Sequence, residues 1–347
     1  MNFIPITMRY TLLVIIFMVS CSNNVKPVSF TSVAVNDIYT DSLSIRAIEI
    51  MGNSLAFAAN KGTFGTVDLN TTKVRSNIEK YHTIIPEFRA IAHTSTDFFM
   101  LSVGTPALLY KTGENGRMEL VYKEEGDGVF YDAMTFLNDK DGIAIGDSVE
   151  GCLSIIITSD GGTTWSKLPC SELPKGIDGE GAFAASNTNI VTIANEIWIA
   201  TTSGRIFHST DKGKKWSISQ TSLRSAEPTE GIYSIAFYDN NLGVAIGGDY
   251  TNPDNAIANK AITKDGGETW QLLADGNIPA YKSCIQFIPG TKGNGLVAVG
   301  FNGISYSPDM GVNWQELSEE SFYTIRFQND SVAYAAGKNR ISKLVFR

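Results

Sequence analysis

Four of the five tryptophans occupy one repeated eight-residue frame. The frames read Thr158-Ser-Asp160-Gly-Gly162-Thr-Thr-Trp165, Ser209-Thr-Asp211-Lys-Gly213-Lys-Lys-Trp216, Thr263-Lys-Asp265-Gly-Gly267-Glu-Thr-Trp270 and Ser307-Pro-Asp309-Met-Gly311-Val-Asn-Trp314. The Asp side chain can accept hydrogen bonds from nearby backbone N–H groups, and the Gly permits a left-handed step, so each frame predicts a tight turn. The Trp is expected to open the next strand and pack back between sheets. A turn repeated in this way outside any helical pattern requires one small β unit used many times. Thr112, Glu114 and Gly116 look like a decayed copy, with Glu119 where Trp belongs, and the first unit has none.

A second signal precedes each turn. Apolar strand starts recur at Ile45-Arg-Ala-Ile48, Phe88-Arg-Ala-Ile91, Tyr131-Asp-Ala-Met134, Gly181-Ala-Phe-Ala184, Tyr233-Ser-Ile-Ala236, Ser283-Cys-Ile-Gln286 and Tyr323-Thr-Ile-Arg326. A second apolar run rich in Ala, Val and Gly usually follows, as at 142–146, 243–247, 296–300 and 332–337. The period, roughly 40–50 residues, is that of a four-stranded propeller blade. The sequence therefore predicts an all-β fold over 28–347, a single seven-bladed β-propeller with four-stranded antiparallel blades. The last unit runs out at its third strand, 341–346, and residues 28–35 are free to complete it as an outer strand. That pairing would close the ring and cover exposed strand edges.

Composition narrows the function classes. Of 347 residues, 32 are Gly and only 18 % are charged, which suits short strands and tight turns. The net charge of −8 and the lack of any Lys/Arg run argue against a nucleic-acid partner. No Gly-x-Gly-x-x-Gly cofactor loop and no haem-type Cys pair is present. The apolar run at 10–19 is too short for a membrane span and reads as a targeting segment. Met18-Val19-Ser20-Cys21 resembles the bacterial lipoprotein signal, which makes 1–21 the signal, Cys21 the lipidated residue and 22–27 a tether. A plain secretory peptide cut nearby is the alternative. Both readings export the protein, and the first makes it an outer-membrane lipoprotein of the cell envelope, facing periplasm or exterior. Cys152 and Cys170 flank the first Trp turn almost symmetrically, so an oxidising compartment permits a disulfide between them if the hairpin geometry cooperates. Cys284 reads as a small buried apolar residue.

In a blade of this type the first strand starts and the second ends on one face, opposite the Trp turns. Arg46, Arg89 and Asp132 hold equivalent strand starts, Glu180 precedes the fourth, and Tyr233 and Ser283 continue the series with Lys282 adjacent. Asp147 and Asp249 end second strands, and Tyr250 follows Asp249. The expected result is a polar funnel whose two arginines hold a carboxylate by bidentate bonds. Asp132, Glu180, Asp147 or Asp249 would supply an acid–base pair if glycosidic bonds were cleaved, given a separation of about 5–9.5 Å. The plainer reading is that these charges knit neighbouring blades and cap turns. His82, His93 and His208 lack ligand spacing, so no metal site is expected from them. The Asn- and Asp-rich loop 249–260 is a candidate Ca²⁺ clasp, and equally a partner contact.

The four frames resemble the Asp box of the bacterial-neuraminidase-repeat propellers. Gly142-Ile-Ala-Ile-Gly-Asp147, Gly179-Glu-Gly-Ala-Phe-Ala-Ala185 and Gly243-Val-Ala-Ile-Gly-Gly-Asp-Tyr250 are similar to stretches of the photosystem II assembly factor-like envelope lipoproteins. That resemblance implies the propeller fold, and the fold hosts hydrolases, binders and assembly factors alike. Phe88-Arg-Ala-Ile91 matches only the first two residues of the sialidase Phe-Arg-Ile-Pro motif, and strand alternation turns Arg326 away from Arg46 and Arg89. The expectation is a noncatalytic envelope binding or assembly module that recognises a protein segment or glycan. A glycoside hydrolase and a purely structural surface protein are the alternatives. Sequence does not set the oligomeric state.

Overall fold

The computed structural model describes residues 29–347. The expected signal 1–21, Cys21 and tether 22–27 lie outside the described residues. The apolar runs become strands buried on both faces. Ser54–Ala59, Phe98–Ser102, Gly142–Val149, Glu196–Ala200, Gly243–Asp249, Leu296–Gly300 and Val332–Ala336 each lie second in an antiparallel meander. Neighbouring sheets cover both sides, so these strands read as continuous apolar stretches, not alternating ones. Strands farther out, such as Val74–Ile78 and Ser217–Gln220, are mostly exposed and polar.

Five sheets hold four strands in chain order, and a sixth holds seven. The architecture is an all-β propeller. Helix among the described residues is confined to short 3-10 turns at Glu114–Gly116 and Cys170–Glu172. The innermost strands are Val33–Met51, Phe88–His93, Tyr131–Phe136, Ile190–Ile193, Glu230–Phe237, Cys284–Phe287 and Thr324–Phe327. Each lies against the next, and Thr324–Phe327 lies against Val33–Met51. In the large sheet, Val33–Met51 pairs on one edge with Lys338–Phe346, from Val33↔Phe346 to Ser44↔Lys338, and on the other with Ser54–Ala59.

Two expected strands are corrected. The outer strand awaited at 28–35 begins at Val33 and pairs as far as Ser44, while Thr31 and Ser32 donate backbone bonds to the Arg347 carbonyl at 2.6 and 3.1 Å. The nine-residue strand Lys338–Phe346 needs a partner along its length, and only the stretch leading straight into Ile45 provides one. Gly181-Ala-Phe-Ala184 is not a strand: the inner strand of that sheet is Ile190–Ile193, and the preceding segment crosses the centre of the propeller.

The Trp turns share one hydrogen-bond network. The frame's Ser or Thr hydroxyl accepts the glycine N–H, at 3.0 Å for Gly162, 2.8 Å for Gly213, 2.8 Å for Gly267 and 2.8 Å for Gly311. The Asp carboxylate accepts the N–H of Thr164, Lys215, Thr269 and Asn313. Each Trp indole N–H returns to the glycine carbonyl, at 3.3, 3.0, 3.1 and 2.8 Å in chain order. These bonds hold the carboxylates down: Asp160 to about 2, first by the Thr164 N–H and then its hydroxyl, and Asp265 to about 2 by the Thr269 hydroxyl and then its N–H. Each Trp side chain packs in the seam between its own sheet and the one before, as Trp165 does edge-on against Phe99 of the preceding sheet at 6.4 Å and Phe136 of its own at 5.8 Å. The fifth, Trp198, is buried in the same kind of seam, stacked on Phe237 at 4.1 Å and bonded to the Gly266 carbonyl at 2.7 Å. Cys152 and Cys170 form a disulfide with Cα atoms 5.5 Å apart, across the outer hairpin of the first Trp turn. Cys284 is a buried free thiol.

Gly161 and Gly162 test this account. Both are left-handed, with φ of 73° and 75°. A Cβ on Gly162 would lie 2.2 Å from Phe99 Cε1, whereas one on Gly161 meets only the Asp139 carbonyl at 3.1 Å. Gly161→Ala is expected to cost about 1 kcal/mol for the backbone conformation alone, and Gly162→Ala about 2–4 kcal/mol once overpacking is added. Chemical denaturation of both variants measures the gap, and equal losses would show that the seam is not tight.

Candidate functional site

At the centre of the propeller, one segment spans the channel. Ser186 Oγ donates to the Ser283 carbonyl at 2.6 Å, and the Ser186 carbonyl accepts from Thr324 Oγ1 at 3.0 Å. Asn187 Nδ2 donates to the Ile91 carbonyl at 2.8 Å, and its Oδ1 accepts the Met134 N–H at 2.9 Å. Thr188 Oγ1 donates to Ser234 Oγ at 2.7 Å. Five other inner strands, or residues at their ends, are thus tied to one crossing. Asn187 sits at φ 60°, a left-handed conformation that Asn tolerates better than most residues. The hydroxyls and amides matter because this backbone is buried, and a buried polar group without a partner is costly.

The crossing separates two basins with no shared lining residue. Above it is a cup of about 480 Å³, floored by Phe183, Ala184 and Ala185 and walled by Arg46, Arg89, Tyr233, Tyr250, Tyr281, Phe301 and Tyr323. Below it lies a basin of about 370 Å³ that includes Asn187, Thr188, Glu49 and Arg326. Arg326 there is saturated: Nε and a terminal nitrogen reach Glu49 Oε1 at 3.0 and 2.9 Å.

The cup walls are mostly aromatic. Phe183 stacks on Tyr233 with centroids 3.7 Å apart, Tyr281 meets Tyr233 edge-on at 4.9 Å, and Phe301 leans on Tyr281 at 5.1 Å. Tyr233 spends its hydroxyl proton on the Thr229 carbonyl at 2.8 Å. Arg46 lies over the Tyr323 ring at 4.3 Å, a cation–π contact. Its Nε is buried without a hydrogen bond, and no ion-pair partner stands beside it among the described residues. Burial, and then the Arg89 charge, lower its pKa from the ordinary arginine value. An unpaired buried donor costs about 1–3 kcal/mol, so this group favours any anion that reaches it. Arg89 is held by Glu87, with Nε–Oε1 2.8 Å and a terminal nitrogen at 2.7 Å from the same oxygen.

Of the residues read from sequence as ligand-binding, Arg46, Arg89, Tyr233 and Tyr250 meet in the cup, and Lys282 does not. Lys282 is buried and donates to Asn302 Oδ1 and O at 3.1 and 3.3 Å, and burial pulls its pKa to about 8. Its neighbour Tyr281, just ahead of the strand Cys284–Phe287, takes the cup side instead. None of the four candidate carboxylates lines the cup. Glu180 is buried in a bidentate pair with Arg205 and accepts from Thr201 Oγ1 at 2.8 Å. Asp249 caps its own turn, accepting the Thr251 N–H at 2.8 Å and hydroxyl at 2.7 Å. At the far end of the 249–260 loop, Asn259 Oδ1 and the carbonyls of Asn277 and Pro279 converge on the buried Lys260 ammonium at 2.7–2.9 Å. Among the described residues no group of three or more His, Cys, Asp or Glu is placed to hold a metal ion.

Asp132 and Asp147 sit behind the cup floor. Asp132 is fully buried and its carboxylate oxygens lack hydrogen bonds. Burial, and then the Asp147 charge, push its carboxyl well above the ordinary range, outweighing the opposite pull of the Ala182 N–H and Arg89. Burial raises Asp147 to about 6, although its Oδ1 accepts the Ala182 N–H at 3.3 Å. Gly181 makes this approach possible, because a Cβ there would lie 1.7 Å from Asp147 Oδ1. Phe183, Ala184, Ala185, Tyr281, Phe301 and Tyr323 were not anticipated as cup residues, although an aromatic flanks several strand starts in the sequence.

No family model matches the chain, and no curated protein does. Solved structures share the fold. "YCF48 bound to D1 peptide" is 12 % identical with a TM-score of 0.62, covering 92 % of this chain and 98 % of that one. YCF48 from Cyanidioschyzon merolae is 15 % identical with a TM-score of 0.60, covering 91 % and 98 %. The RRP9 WD40 repeats are 9 % identical with a TM-score of 0.66, covering 92 % and 99 %. At these identities the likeness establishes the propeller and nothing finer.

The raised Asp147 pKa makes a signed prediction. From the usual 3.8 up to about 6, the native carboxyl holds a proton that the unfolded chain has released, so stability falls as pH rises through that window. Asp147→Asn keeps an acceptor for the Ala182 N–H and removes the charge. At pH 7.5 the variant is expected to be more stable by roughly 2–3 kcal/mol at most, and the gain should fade by pH 4. Urea melts at both pH values measure this; a variant destabilised equally at both would refute it.

Proposed function

We propose that this chain is an exported, lipid-anchored envelope protein that binds a segment of a partner protein in its Arg–aromatic cup, without catalysis. One observation carries the reading: two guanidinium groups and six aromatic side chains converge on a single blind cup. Flat aromatic walls bury apolar side chains at low entropy cost, and arginines anchor a carboxylate. The cup offers little besides guanidinium and phenol groups to read sugar hydroxyls, which favours a peptide over a glycan. The YCF48 structure with a bound D1 peptide gives a propeller precedent for peptide binding. A glycosidase would need two carboxylates facing the cup, and Asp132, Glu180, Asp147 and Asp249 are buried or committed elsewhere.

We further infer seven blades, with the four Trp turns as Asp boxes. On this reading the seven-stranded sheet is two blades sharing Val33–Met51, whose first half is the outer strand of the last blade. Export agrees with the Cys152–Cys170 disulfide, since such bonds persist in oxidising compartments. The position of Phe30 has a consequence for anchoring. The chain enters at Phe30, whose carbonyl accepts from Gln315 beside the fourth Trp turn, and Val33 pairs with Phe346. The opposite end of that ladder, Lys338, adjoins Gly337 and the cup residue Tyr323. A lipid on Cys21 therefore turns the Trp-turn face toward the membrane and leaves the cup facing away.

Two experiments test these statements. Pull-down from envelope extract, beside a glycan array, is expected to recover a protein partner whose affinity drops at least about 30-fold in the Arg46→Ala plus Arg89→Ala variant. Unchanged capture would remove the cup from the function, and sugar release abolished by a single carboxylate substitution would overturn the noncatalytic reading. For orientation, fluorophores are placed at Val312→Cys, on a Trp turn, and at Tyr250→Cys, on the cup rim. Quencher lipids are expected to dim the first more than the second in the membrane-bound protein, and Cys21→Ser is expected to release the protein from membranes. Stronger quenching at position 250 would reverse the assigned orientation.

A further inference from the structure

The two cup arginines are not equivalent. Arg46 has a ring beneath it and no carboxylate within ion-pair distance among the described residues, Glu87 reaching it only as a weaker, more distant charge. Arg89 already has one: both its Nε and a terminal nitrogen address a single oxygen of Glu87. Glu87 is not part of the cup lining, so it grips Arg89 from the side while the guanidinium still faces the cavity. Its side chain is 41 % exposed, against 28 % for Arg89, so it can swing into solvent without breaking the core. It stands directly before the strand Phe88–His93, which carries Arg89, so its position is fixed by the same backbone.

We propose that the cup selects a monocarboxylate, anchored on Arg46, and that Glu87 is the specificity-determining residue because it occupies Arg89 as a built-in competitor. The charge count supports this. Two guanidinium groups less one carboxylate leave one positive charge facing the cup, and a ligand bearing one carboxylate neutralises it. A second ligand carboxylate would have to displace Glu87 or sit beside it, and like charges in a partly desolvated site repel strongly. The aromatic walls set the other half of the ligand, an aromatic or apolar group next to the carboxylate. The inference rests on the reading of the cup as a binding site and names the chemical group it takes.

Small probes separate this inference from that reading. Phenylacetate carries one carboxylate and one ring, phenylmalonate carries two carboxylates, and phenylacetamide carries none. Wild-type protein, monitored by titration calorimetry and by the arginine Nε–H signals in NMR, is expected to bind phenylacetate, to bind phenylmalonate at least about tenfold less well, and to ignore phenylacetamide. Arg46→Ala is expected to lose phenylacetate binding. Glu87→Gln preserves shape and removes the charge; it is expected to improve phenylmalonate binding about tenfold or more and so invert or erase the preference. Near-UV circular dichroism of Glu87→Gln checks that the aromatic cup is intact. If Glu87→Gln leaves the ratio of the two affinities unchanged, Glu87 is not the selector, and the binding-site reading survives. If wild-type protein binds neither carboxylate, both this inference and the cup reading fall.

Discussion

The backbone ladder between Val33–Met51 and Lys338–Phe346 governs the rest of the molecule. It ties the first described strand to the last in one sheet, so neither is left as an open edge. It also fixes where each chain end lies. The first half of Val33–Met51 works at the periphery and its second half at the centre, where Arg46 enters the cup. A slip of one residue would turn Arg46 out of the cavity and move Ile45 and Ala47 off the core face. The β-bulge between Ile45 and Ala47 lies at the point where the strand changes duty.

The second determinant is the crossing segment. Propeller centres are lined by strand edges and small side chains, and something must satisfy the polar groups that point inward. Here Ser186, Asn187 and Thr188 do so for several strands at once. The same segment supplies the cup floor and covers Asp132 and Asp147, whose raised pKa values follow from burial. Shape, polarity and electrostatics at the cup thus trace to one irregular stretch.

Much of this was legible in the sequence where the signal is local. The Ser/Thr–Asp–Gly–Trp frames specify their turns through bonds made within each frame, and the apolar runs mark the doubly covered strands. Arg46 and Arg89 both stand one residue into their strands' apolar starts, and both line the cup. Asp132 occupies the equivalent position and is hidden, because a segment about fifty residues later lies over it. That segment, 181–189, has the small apolar composition of a strand, and only contacts far away in the chain decide that it crosses the channel instead. Lys282 and Tyr281 are adjacent in the irregular stretch before Cys284–Phe287, where no strand periodicity tells which of the two faces the cup.

The closed floor has a mechanical corollary. A polymer that enters cannot exit on the far side, so it must withdraw along its own path before another engages. If the cup takes a partner segment as proposed, sliding along a strand or threading through the pore is thereby barred, and occupancy is limited to one tip or one bend of that partner at a time. Residence is then governed by a single escape route rather than by passage.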